Sequence, residues 1–277
     1  MELQWDWSEI DLREACFPQS FLWGAATAAH QVEGGNTNNN WARWETQTDT
    51  KGKPRIHGGQ RSGAACEHYE RYADDFRRMK EDLGLKSYRF SLEWSRIEPE
   101  PGRFDDEAIA HYHGVIDCLI ELGIEPMVTL HHFTHPLWFE DLGSFEHLEN
   151  LDHFVRFARR CFEEYGSKVP RWCTHNECGP FSVMGWGFGV FPPGHKSFKR
   201  MARVLCNLMH SHTRVYRELK AMPGGDAVEI GLVKNIFQFD PLHSWNPVHT
   251  TMCKVMEKVY NDSVINFMKT GVFELSI

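Results

Sequence analysis

Two periods of apolar and polar positions alternate along this chain. Short runs with the two-residue repeat of a strand cover Phe21–Ala26, Ser87–Leu92, Glu125–His132, Arg171–Asn176 and Glu229–Asn235. Between and after them lie longer stretches with the 3.6-residue repeat of a helix, at 65–83, 106–122, 148–165, 197–222 and 248–268. In the first of these, Tyr69, Tyr72, Phe76 and Met79 mark one face. Gly84, Gly123 and Gly166 stand where three of the helices should stop. Only the Asn- and Gly-rich stretch from Asn36 to Gly63 shows neither period, and it is expected to be a long loop. No repeat, low-complexity tract or linker divides the chain, so residues 1–277 should form a single domain.

Alternating strands and helices imply a parallel sheet with helices outside it. Polar residues at the C-terminal ends of short apolar strands point to a (β/α)₈ TIM-barrel type of fold, incomplete here, with about the first five β/α units. A doubly wound nucleotide-binding sheet is disfavoured, because no Gly-x-Gly-x-x-Gly turn joins the first strand to a helix. A five-stranded arc would leave two open edges and an uncovered inner face. Alone, such a chain is expected to self-associate or to pair with a complementing C-terminal chain.

Composition narrows the function without naming it. With 277 residues, 42% of them apolar, the chain can bury a large core. A formal charge of −8 speaks against nucleic acid as a partner. No run approaches a membrane-spanning length, and the N-terminal Met-Glu-Leu-Gln-Trp-Asp-Trp lacks a secretory signal layout. Eight cysteines at irregular spacing, without a Cys-x-x-Cys pair, read as buried free thiols. A soluble, cytoplasmic protein without a cofactor is the expectation.

The strand ends carry the candidate chemistry. Gln31 follows the first strand, Arg89 lies in the second, His131 and His132 end the third, Asn176 and Glu177 end the fourth, and Asn235 ends the fifth. In a barrel these positions converge on one mouth. Glycoside hydrolysis needs a proton donor for the leaving oxygen and a second carboxylate at the ring carbon. Glu177, among apolar and aromatic neighbours, suits the donor; a helix N-terminal carboxylate explains it equally well. Asn176 could hydrogen-bond a ring hydroxyl. An inward Arg89 must pair with a carboxylate, either a catalytic one or a local acid such as Glu93. His131, His132 and His135 invite a metal, but consecutive strand residues point to opposite faces, so a single inward imidazole meeting a hydroxyl is the simpler account and no metal is expected.

At these residues the chain resembles glycoside hydrolase family 1, the retaining β-glycosidases. The resemblance rests on Phe21–Gly35, on Tyr88–Ser91 with Glu93–Ile97, on Val128–Pro136, and on Thr174–Glu177. It implies that Gln31 and His132 hold hydroxyls of the non-reducing sugar and Asn176 the 2-hydroxyl. It makes Glu177 the acid/base, sets Arg89 beside a nucleophile, and matches Asn235 to an asparagine near the catalytic pair. The substrate would be a β-linked saccharide or an aryl or alkyl glycoside. Cys178 stands where the family has proline, and Phe133 where it has tryptophan. The family's Thr-Glu-Asn-Gly nucleophile motif is absent from these residues. Glu274 lacks its context, and Glu33 and Glu93 are expected to support the fold. Three functions stay open: a β-glycosidase truncated here and weak or inactive alone, a half-enzyme needing a separate C-terminal chain, and a non-catalytic carbohydrate-binding or scaffold protein derived from the barrel.

Overall fold

A computed structural model describes residues 16–273. The N-terminal heptapeptide and Glu274 lie outside the described residues. Five strands run in parallel in the order of the chain: β1 (Gly24–Ala26), β2 (Ser87–Ser91), β3 (Glu125–His131), β4 (Arg171–Asn176) and β5 (Glu229–Val233). Sequential parallel strands joined by helices make this part of a (β/α)₈ barrel. β1 and β5 each have one neighbouring strand among the described residues.

The helices form where the apolar stripe and the caps agree. Asp105 accepts from the Ala108 N–H at 2.9 Å and starts the helix Asp106–Glu121. Helix Leu151–Tyr165 buries Leu151, Phe154, Phe157, Ala158, Cys161, Phe162 and Tyr165, one continuous stripe against the sheet. Helix Phe198–Ala221 packs beside it. The stripe expected at 65–83 forms the helix His68–Glu81, and Phe76 is its fully buried residue. Gly84 and Gly123 adopt φ of +63° and +64°, which only glycine takes up without strain, and turn the chain into β2 and β3.

Four expectations are corrected. The first strand spans only Gly24–Ala26, and Phe21, Leu22 and Trp23 before it are exposed. The last helix is not continuous: Pro247–Met256 and Ser263–Thr270 are joined by a π-helical turn. The stretch 36–63 is not a plain loop. Asn39 caps a helix, Asn40–Glu45, by accepting from the Ala42 N–H at 2.8 Å. The thiols are also not uniformly buried: Cys161, Cys173 and Cys178 are, whereas Cys16 and Cys66 are exposed. No helix among the described residues is long and apolar enough to cross a membrane.

Candidate active site

The Asn-rich segment is the scaffold of the site. Asn40, fully enclosed, uses both ends of its amide: it donates to the Phe133 carbonyl and accepts from the His135 N–H, each at 3.1 Å. This fixes the segment after β3, where Phe133 takes the left-handed φ of +69°. Glu45 binds His30 Nε2 at 2.9 Å and the Ser62 N–H at 2.9 Å. Ser91 Oγ accepts from the Ala29 N–H at 2.8 Å and seats the helical turn Ala29–Val32 above β2. Gln31 projects from that turn and shares a cavity of about 360 Å³ with His132, walled by Trp41, Phe133 and Phe191. Small-molecule pockets fall in the range of roughly 300–1,000 Å³.

His132 is half-buried, and its buried Nδ1 has no partner among the described residues. Burial, reinforced by the nearby Arg89 charge, pushes its imidazole down to about 4. The ring is therefore neutral near pH 7, with one nitrogen donating and one accepting, which suits a hydroxyl group. His131 faces the other way, among Phe145, Phe154 and Phe181. It touches His135 at 3.3 Å and His175 at 3.5 Å, so it belongs to the layer between sheet and helices.

Arg89 donates from Nη1 to Asn176 Oδ1 at 3.2 Å and to Thr129 Oγ1 at 3.3 Å. It makes no ion pair among the described residues. Glu93, its local alternative, is instead occupied by Ser95 and Thr134 at 2.7 and 3.0 Å. Glu33, likewise fully buried, accepts from Tyr112 at 2.6 Å and from Arg96 at 2.9 Å. Both acids thus hold the wall rather than face the mouth.

Between Cys173 and Asn176, β4 slips in register against β5. Such an irregularity re-aims the side chains that follow it. Asn176 then meets Arg89, and Glu177 turns into a left-handed φ of +49°. A strained non-glycine backbone of this kind costs about 1–3 kcal/mol and persists where surroundings over-determine it. Here the Glu177 N–H is held by the Val233 carbonyl at 2.9 Å, and its carbonyl by the Phe181 N–H at 3.0 Å. The short helix Cys178–Ser182 follows. Cys178 stays a thiol, because burial pushes it up to about 12.

Two residues near Glu177 were not anticipated. Lys234 and Tyr260 both feel its charge, and Lys234 Nζ lies 4.6 Å from the Tyr260 ring centroid. Lys234 sits beside Asn235 in sequence and could have been suspected; Tyr260 comes from a distant helix and carried no local signal. Asn235 lies two residues beyond β5, half-buried, and its side chain makes no hydrogen bond among the described residues. Gln31 and His132 thus share one cavity, the Arg89 charge reaches His132, and Arg89 is hydrogen-bonded to Asn176, which Glu177 follows in the chain.

Comparison with known proteins adds an independent line. The family model for Glycosyl hydrolase family 1 matches residues 13–273. The chain is 36% identical over 226 residues to β-glucosidase A of Acetivibrio thermocellus, covering 79% of this chain and 49% of that protein. It is 36% identical over 216 residues to human cytosolic β-glucosidase, covering 74% of this chain and 45% of that protein. Its fold matches a β-glucosidase from Thermotoga maritima in complex with glucoimidazole at a TM-score of 0.85 and 30% identity, covering 93% of this chain and 58% of that one. The chain spans about half the length of the curated relatives it matches.

Proposed function

The chain belongs to glycosyl hydrolase family 1, and from that premise we propose that it supplies the sugar-binding rim and the acid/base of a retaining β-glucosidase. The substrate is a terminal β-linked glucose-like residue on a saccharide, aryl or alkyl leaving group. A single observation supports this proposal: Arg89, hydrogen-bonded to Asn176 beside Glu177, also brings its charge to His132, which shares a cavity with Gln31.

In this scheme Gln31 and His132 hold hydroxyls of the sugar, and Asn176 holds the 2-hydroxyl. Glu177 protonates the glycosidic oxygen as the bond to the leaving group breaks. A second carboxylate attacks the anomeric carbon and forms a covalent glycosyl ester. Glu177, now a carboxylate, takes a proton from water as the water cleaves that ester with overall retention. In retaining enzymes the two carboxyl groups lie about 5–5.5 Å apart. Arg89, with no carboxylate of its own, is the group against which the second one rests. That carboxylate comes from strands outside these five, in the same polypeptide or a separate one. Asn235 flanks the pair from β5. A cytosolic setting agrees with the name of the human relative.

Binding tests the rim without requiring turnover. Calorimetric titration of the protein with glucoimidazole, the ligand of the T. maritima structure, should show saturable binding. Loss of one buried hydrogen-bonding partner costs roughly 1–3 kcal/mol, so His132→Ala should weaken binding by about tenfold or more. Equal affinity in wild type and His132→Ala would remove the imidazole from the sugar site.

A further inference from the structure

A second cavity, of about 680 Å³, lies between the turn at 49–55 and the segment 188–196. Its lining carries four cations, Lys51, Lys53, Arg55 and Lys196, and one acid, Asp49. On a molecule of net charge −8 such a concentration runs against the average. The one acid offsets only part of that charge: Asp49 Oδ1 accepts from the Lys51 and Lys53 backbone N–H groups at 2.8 and 2.9 Å, which shape the turn. None of the four cations forms an ion pair among the described residues, although Arg43, Arg96, Arg103, Arg156 and Arg200 all do.

Arg55 is the built element. Its guanidinium lies 4.4 Å from the centroid of the Trp44 ring, and Trp44 is only 2% exposed. This cation–π contact holds the guanidinium over the ring without using its N–H groups. Arg55 makes no side-chain hydrogen bond among the described residues, and its Nε and the Trp44 Nε1 are both buried without a partner. Gly194 makes the stack possible, since a Cβ there would fall 2.6 Å from the Trp44 ring. A half-buried planar fork, held by an aromatic face and flanked by three lysines, matches an oxyanion.

We propose that this cavity is an oxyanion-binding site centred on Arg55. The oxyanion, a phosphate or carboxylate, is either free or borne on the leaving part of a glycoside. The second source rests on the β-glucosidase proposal above. It is geometrically natural, because Glu45 and Phe191, the chain neighbours of Trp44 and Val190, line the cavity of Gln31 and His132.

The test reads the indole N–H NMR signal of Trp44, assigned by its loss in Trp44→Phe. Titration with inorganic phosphate at constant ionic strength should move this signal, with saturation. Arg55→Gln should weaken that response by about tenfold or more, and Arg55→Lys, which keeps the charge but loses the fork, by less. A carboxyphenyl β-glucoside that binds more tightly than phosphate, and loses that advantage in His132→Ala, assigns the oxyanion to a glycoside. Equal binding in His132→Ala assigns it to a free anion. No movement of the signal at phosphate well above about 10 mM, or the same movement in Arg55→Gln, overturns the site. The readout needs no catalysis, so failure of the β-glucosidase proposal would leave it standing.

Discussion

Supplying the strands that carry a second carboxylate should raise the turnover of an aryl β-glucoside by the 277-residue chain roughly a thousandfold or more. Two features of the structure set this expectation. Arg89 points its guanidinium at Asn176 and Thr129, both neutral, and has no carboxylate among the described residues. A half-buried cation of this kind is costly unless an anion joins it. The sheet also ends twice, at β1 and β5, and apolar side chains stand exposed beside both ends. Phe17, Phe21 and Trp23 cluster before β1 with ring centroids 4.5–4.8 Å apart. Ile236, Phe237, Leu242 and Trp245 follow β5, with Leu242 82% exposed. Closing strands would cover these patches and complete the backbone pairing at once. The experiment is co-expression with the C-terminal segment of the T. maritima relative, followed by assay of a chromogenic β-glucoside. Glu177→Gln should then remove the restored activity by roughly 10²–10⁴-fold, the usual contribution of a general acid. Robust turnover by the 277 residues alone, abolished by Glu177→Gln, would mean that both carboxylates already lie within them. That result would refute the role given to Arg89.

The parallel sheet was legible in the sequence because its central strands are apolar and short, and their helices carry clean stripes. β4 lies where its pattern predicts, at Arg171–Asn176, and β2 and β3 end within one residue of expectation. The first strand was overestimated because Phe21–Trp23 are apolar yet exposed, and periodicity cannot distinguish a strand from an uncovered edge. The stretch 36–63 was misread because its order comes from side-chain amides rather than apolar burial. Asn36 bonds to Ser95 at 2.7 Å and Asn38 to the Pro99 carbonyl at 3.1 Å, partners some sixty residues away that no local pattern reveals. Strand ends are local features, so Gln31, His132, Asn176 and Glu177 could be named from sequence. The stack of Arg55 on Trp44 and the approach of Tyr260 to Glu177 join distant segments and could not.

Acid should unfold this protein between about pH 6 and pH 4, and buried imidazoles should drive most of that loss. Burial holds His111, His132 and His212 down to about 4, and His131 and His175 well below the usual histidine range. In the unfolded chain these rings take up protons near 6.5, while in the folded chain they resist until far lower. The unfolded state thus binds more protons throughout that window. The stability contributed by the neutral rings is complete above about pH 6.5 and declines as pH falls. Each ring contributes a slope of up to about 1.4 kcal/mol per pH unit, trimmed by solvent for the partly covered His111 and His132. Glu33 acts in the opposite sense. Burial, partly offset by Arg96, raises its carboxyl to about 7, so its proton favours the folded state as pH falls from about 7 to 4.5. One such group cannot balance five imidazoles, and a typical domain has only about 5–15 kcal/mol to lose. Denaturant unfolding across this pH range should show the slope directly. His131→Leu, which places an apolar side chain among Phe145, Phe154 and Phe181, should reduce the slope by up to about 1.4 kcal/mol per pH unit. A stability that stays flat from pH 6.5 to about 4.5, or a slope unchanged in His131→Leu, would show that the buried rings are not what acid attacks.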